Sequence, residues 1–151
     1  MMKRNCIRGL LLATLLIGLP ALKTAAAEVA PAAQIVVISH KNVTDELKKG
    51  DLEQIFLGKK TRWADDAKIV FVILGEKATC AVFLKNYVSK TLDQYTNYWK
   101  KQVFTGKGRM PEVFATSQEV MQHVAATAGA ISFVPAQDAD PNLVKVLTLA
   151  P

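Results

Sequence analysis

Four short runs of apolar, largely β-branched residues punctuate the chain. They are Ile35-Val36-Val37-Ile38, Ile69-Val70-Phe71-Val72-Ile73-Leu74, Ala130-Ile131-Ser132-Phe133-Val134 and Val144-Lys145-Val146-Leu147-Thr148-Leu149. The first two are unbroken, the pattern of strands covered on both faces. The last alternates apolar with polar residues and predicts an edge strand.

Helical spacing fills the gaps. Asp51 can cap a helix that carries Leu52, Ile55 and Phe56 on one face and stops at Gly58. A second helix is predicted from Lys77, with Ala81, Leu84, Val88 and Leu92 inward, and Asp93 then caps a short third with Tyr95, Tyr98 and Trp99 on its inner side. Thr116-Ser117-Gln118-Glu119 reads as a capping box, in which hydroxyl and carboxylate each satisfy an orphan backbone donor. The helix it opens carries Val120 and Val124 and ends near Gly129. Strands separated by helices require crossover connections, so the expected fold is α/β, a mainly parallel sheet with helices on both faces. No internal repeat or second-domain linker interrupts residues 35–151, which form the predicted domain.

The N-terminus follows a different pattern. Lys3, Arg4 and Arg8 precede an apolar run from Gly9 to Leu19, Pro20 breaks it, and Ala25-Ala26-Ala27 offers a small-residue cleavage site before Glu28. That is the layout of a signal peptide, residues 1–27, followed by a flexible lead-in at 28–34. The run is about half the ~20 residues of a membrane-spanning helix, so the mature chain is expected to be periplasmic or secreted and not to span a membrane. Processing changes the charge picture, because the formal +6 of the whole chain falls to +2, with 15 basic and 13 acidic residues remaining. The excess of positive charge belongs largely to the leader, and no nucleic-acid partner is expected. Cys80 is the one cysteine that remains, so no intramolecular disulfide is available. It is expected to be buried and slow to react, although a thiol near a helix N-terminus can also be activated.

In an open α/β sheet, ligands sit beyond the carboxyl ends of strands, where helix N-termini present free amides. Three segments have parts suited to an oxyanion there. Ser39 ends the first strand, Lys77 and Thr79 lie where the second strand meets its helix, and Thr105, Gly106, Lys107 and Gly108 form a glycine-rich loop. Hydroxyls donate hydrogen bonds, glycines admit close backbone approach, and the lysines supply countercharge. The loop lacks the spacing of a Walker phosphate loop. Lys59-Lys60-Thr61-Arg62 and Asp65-Asp66 read as solvated turns, and His40 and His123 belong to no metal-ligand or nucleophile motif. No cofactor, metal or catalytic role is expected.

Three ordered segments carry a family resemblance. Asp51-Leu52-Glu53-Gln54-Ile55-Phe56-Leu57-Gly58-Lys59-Lys60-Thr61-Arg62-Trp63-Ala64-Asp65 resembles the helix and Trp-containing turn of periplasmic phosphate-binding proteins. Phe104-Thr105-Gly106-Lys107-Gly108 resembles their glycine-rich loop, and Ala128-Gly129-Ala130-Ile131-Ser132-Phe133-Val134 is similar to their P-G-A-I-G-Y-V strand. The family consists of type 2 periplasmic binding proteins, two α/β lobes that close on phosphate and deliver it to an ABC permease; the resemblance covers one lobe. It implies a solute-binding domain for phosphate or a related small oxyanion, with an ABC permease or membrane sensor as partner. The family's R-x-D-x-S-G-T pattern, laid on this chain, retains only Thr79; Ile73 stands for the Arg, Gly75 for the Asp, and Lys77 and Ala78 for the Ser and Gly. Losing the Arg and Asp equivalents supports an alternative, a ligand-free interaction or sensory module derived from a binding-protein lobe.

Overall fold

The computed structural model describes residues 34–147. The segment read as a leader, most of the lead-in, and Thr148 and Leu149 of the last apolar run lie outside the described residues.

Five strands form one sheet in the order β3-β2-β4-β1-β5, with β1 at Ile35–Ser39, β2 at Val70–Leu74, β3 at Glu112–Phe114, β4 at Ala130–Pro135 and β5 at Lys145–Leu147. β2 runs parallel to β3 and β4, whereas β1 runs antiparallel to both of its neighbours, β4 and β5. The sheet is mainly parallel, as the alternation of elements predicts, with β1 inserted in the reverse sense. Hydrophobic pattern carries no information about strand direction, since a strand buried on two faces looks alike either way. β4 is the central strand and every one of its six residues is buried, and β5 stands at an edge.

Four α-helices complete the domain: α1 at Lys49–Phe56, α2 at Lys77–Phe83, α3 at Leu92–Phe104 and α4 at Ser117–Ala126. Phe133 of β4 stacks on Phe83 of α2 with centroids 3.8 Å apart and planes 7° from parallel. Phe56 of α1 meets Phe83 edge-on at 4.8 Å, and Trp99 of α3 lies 5.7 Å from Phe71 of β2. These rings place α1, α2 and α3 on one face of the sheet. The path from β2 to β3 and the path from β3 back across β2 to β4 move in opposite directions, so right-handed crossovers put α4 on the other face. There Val120, Met121 and Val124 are buried, and Ser132 donates to Val72 O at 2.8 Å, which satisfies its hydroxyl inside the sheet.

Local chemistry refines several expectations. Thr116 and Glu119 form the predicted capping box of α4. α1 begins earlier than Asp51, with Lys48 at the cap and Asp51 reaching back to the Lys48 amide at 3.0 Å. α3 is thirteen residues long and is capped by Thr91 with Gln94, two residues before Asp93. Its inner tyrosines reach across to the end of α1, Tyr95 donating to Phe56 O and Tyr98 to Leu57 O, each at 2.8 Å. After α2 the backbone widens into a π-helical turn at Leu84–Val88, ended by Ser89 in a left-handed conformation. Within α2, Thr79, Cys80 and Phe83 face inward and Ala81 is exposed, while Leu84 and Val88 of the π-turn are buried as the spacing predicts. β3 is too short and too exposed to have left a hydrophobic signal.

One glycine is fixed by close packing. Trp63 donates from Nε1 to Gly129 O at 2.9 Å, and a Cβ on Gly129, whose φ is +73°, would lie 2.3 Å from Lys68 O. The Trp-containing turn therefore clamps the entry to β4.

Two predictions follow the packing. Phe83→Ala removes the ring stacked on Phe133 and should cost about 3–5 kcal/mol in urea unfolding; a loss below 1 kcal/mol would refute the stack as a core element. Asp51 has its carboxyl held below the ordinary 3.8, first by the Lys48 amide and then by Lys60, whose Nζ is 3.2 Å away, against an opposing effect of burial. A folded-state pKa below the unfolded one gives stability that is present above 3.8 and lost as the pH falls through the folded value. Asp51→Asn should flatten the acid limb of a stability-against-pH profile, and an unchanged limb would contradict this.

Candidate functional site

The carboxyl end of β2 opens on a cavity of about 230 Å³ between α2, α3 and β3. Its walls are Ile73, Leu74 and Cys80 on one side, Leu92, Tyr95, Thr96 and Trp99 of α3 on another, and Met110, Pro111 and Val113 at the lip. Lys77, the first residue of α2, also lines it and is its one charged wall residue. Burial pushes the Cys80 thiol up to about 11, so the wall there is neutral and the thiol is held as a thiol. Tyr95 is likewise raised above its ordinary value by burial. The cavity is an apolar slot with one cation at its rim.

The seven residues expected to contact an oxyanion do not converge on this slot. Lys77 reaches it. Thr79 is buried and donates its hydroxyl to Glu76 Oε2 at 2.6 Å. Glu76 is the cap residue of α2, so a carboxylate of the chain itself sits over the positive end of that helix. Ser39 lies at the other end of the sheet, because β1 is antiparallel: Ser39 pairs with Ile131 near the start of β4, and its hydroxyl donates to His40 O at 3.3 Å.

The glycine-rich loop is a helix C-terminus. Gly106, with φ +67°, donates its amide to Val103 O at 3.1 Å, and Lys107 donates its amide to Gln102 O at 2.9 Å. This is the Schellman arrangement, in which the residues after a helix satisfy its last carbonyls. The Thr105 hydroxyl also turns back, donating to Lys101 O at 2.9 Å. Those groups are spent on α3, at the end of a helix dipole that repels anions. Lys107 is exposed and Gly108 packs against Trp99, with a Cβ there meeting the indole at 3.0 Å.

Positions 73 and 75, where the pattern of the resembled proteins has Arg and Asp, are shaped by local packing. Gly75 donates its amide to Phe114 O at 2.7 Å, and a Cβ at this position would lie 3.1 Å from both Phe114 O and Val113 Cγ1. A carboxylate at 75 has room only if β3 moves outward. Ile73 is buried in the cavity wall, where the pattern has an arginine.

Most of the cavity was hidden in the sequence. Leu92, Tyr95 and Trp99 are spaced three and four apart, the same spacing that core packing produces. Met110, Pro111 and Val113 belong to the approach and edge of β3, which no pattern announced. Among the described residues, no group of three or more His, Cys, Asp or Glu side chains is placed to hold a metal. No helix among them is long and apolar enough to cross a membrane.

Neither a family model nor a curated relative matches the sequence. Solved structures do match the fold. A phosphate ABC transporter substrate-binding protein from Clostridium perfringens, with bound phosphate, superposes with a TM-score of 0.58 at 20% identity over 76% of this chain. An ABC-type phosphate transport receptor from Vibrio cholerae gives 0.55 at 16% identity over 76%, and PstS from Borrelia burgdorferi gives 0.54 at 18% over 78%. The matched regions are 44%, 45% and 48% of those proteins, so this chain spans less than half their length. The chain thus shares the α/β fold of a single lobe of these substrate-binding proteins.

Proposed function

We propose that this protein is an exported solute-binding lobe that takes up a small oxyanion at the end of β2, with its charged head at Lys77 and an apolar body in the slot. The observation that carries this reading is the slot itself: walls of Ile73, Leu92, Tyr95 and Trp99, with Lys77 as the one charged wall residue. Inorganic phosphate needs several donors converging on its oxygens, and here Thr79, Gly106 and Lys107 spend theirs within the fold. A phosphate monoester or a carboxylate on a compact apolar group suits the slot better, since its body is removed from water by walls already in place. Affinity is modest, because Lys77 is the one charged side chain among the slot's lining residues and the anionic head at the rim stays partly hydrated. Binding without catalysis is supported by the fold neighbours, which are named as binding and transport proteins. Delivery to an ABC permease belongs to the same reading. An interaction module is the second reading, favoured by Ile73 and Gly75 standing where the resembled pattern has its arginine and aspartate.

Calorimetric titration tests the site. Phenyl phosphate should bind at least tenfold more tightly than inorganic phosphate or sulfate. Lys77→Gln should weaken every anion by about tenfold, the worth of one hydrogen bond to a charged group. Leu92→Trp should fill the slot and weaken phenyl phosphate alone. No uptake of any of these anions at millimolar concentration would end the solute-binding reading. Export rests on the basic, apolar and Ala25-Ala26-Ala27 pattern before Glu28. The intact mass of exported material should correspond to a chain beginning within a residue or two of Glu28; an uncleaved chain retained in the cell would refute it.

A further inference from the structure

We propose that the corner where α3 ends is a docking patch for an anionic lipid surface. Phe104, the last residue of α3, is 92% exposed; Val103 before it is 46% exposed, and Met110, six residues further on at the lip of the slot, is 51% exposed. Lys100 stands one turn before Phe104 on the outward side of the helix, next to Lys101, and Lys107 and Arg109 follow in the loop; all four are exposed. Between Asp93 and Glu112 there is no acidic residue. Outside this stretch, the chain after residue 27 holds 11 basic and 13 acidic residues, so the positive charge of the domain is concentrated here.

Each half of the patch alone would be ordinary. A lysine run is commonly a solvated face, and a single exposed apolar residue needs no explanation. Their combination is what an interfacial anchor requires: an aromatic that enters the headgroup region, ringed by cations that meet anionic phosphates. The helix end is also held rigid, because the Gly106 and Lys107 amides close the Schellman cap on Val103 and Gln102. Phe104 is therefore presented on a fixed support and loses little conformational freedom on docking.

The size of the patch favours lipid over a protein partner. A specific protein interface buries on the order of 800 Å² per side, whereas this corner offers one fully exposed ring with two half-exposed neighbours. A bilayer asks for no complementary shape; one or two anchors and a few cations give reversible association. The patch shares only Met110, at the lip, with the slot beside Lys77, and none of the variants below alters that residue, so its test is separate from the solute-binding one.

Sedimentation of the full chain with vesicles tests it, comparing phosphatidylcholine alone with an equimolar mixture of phosphatidylcholine and phosphatidylglycerol. The apolar N-terminal run is common to every variant, so differences between variants report the corner. Binding should be stronger to the anionic vesicles and fall as salt is raised. Phe104→Ser should weaken it by about tenfold, and Lys100→Gln with Lys101→Gln by on the order of twentyfold. Trp63 and Trp99 are buried, so in Phe104→Trp a blue shift of emission on adding anionic vesicles should come from the new side chain. Equal partitioning of wild type and variants, or no preference for phosphatidylglycerol, would overturn the proposal. So would a loss confined to the lysine variant with no shift from Phe104→Trp, which would indicate electrostatic adsorption alone. Binding to polyglutamate without binding to vesicles would assign the corner to an acidic protein surface instead.

Discussion

The stacking of Phe133 on Phe83 is the contact around which the domain is arranged. Phe133 sits on β4, the strand at the centre of the sheet, and the stack pins α2 directly over it. Phe56 closes edge-on against the same ring from α1, and Tyr95 and Tyr98 then tie α3 to the last carbonyls of α1. Three helices are thus positioned in sequence from one aromatic contact, α2 by ring packing and α1 and α3 also by the two tyrosine hydrogen bonds between them. The slot beside Lys77 is a by-product of this order. α3 leans on α1 through its tyrosines, which leaves space between Trp99, Leu92 and the end of β2.

The polar groups at the helix ends explain where an anion can and cannot go. A helix N-terminus attracts anions only while its field is uncompensated. At α2 the Glu76 carboxylate, held by Thr79, already answers that field. At the end of α3 the amides that might have cradled a phosphate instead answer the orphan carbonyls of the helix. What remains outside these closed arrangements are side-chain cations: Lys77 at the slot, and the cluster around Phe104. The two proposals grow from the same observation, that the backbone has satisfied itself and has left charge on flexible stems.

In a two-lobed protein, desolvation comes from closure of one lobe on the other, so a small inorganic ion can be enclosed. Within this lobe the proposed site draws its desolvation from the apolar slot, which suits a ligand that brings an apolar body. Gly75 and Ile73 shape the same end of β2. The first lets β3 press against it, and the second forms part of the apolar wall.

The α/β class, the paired faces of the sheet and the capping box at Thr116 were legible in the sequence, because each is a local pattern. Unbroken apolar runs mean strands covered twice, and a hydroxyl three residues before a carboxylate means a helix start. The inward set of α3, Tyr95, Tyr98 and Trp99, was legible for the same reason, with Tyr98 half-buried. Strand direction was not, since β1 buries the same side chains whether it runs with or against β4; its reversal put Ser39 at the far end from Lys77. The role of Thr105, Gly106, Lys107 and Gly108 was equally undetermined, because a glycine-rich segment serves an anion or a helix end with the same residues. Only the length of α3, which runs on to Phe104, decided that those amides point at carbonyls. The slot had no local signature at all, being made of core-like residues from β2 and α3 and the approach to β3, and its existence depends on how far apart the packed aromatic rings hold those elements.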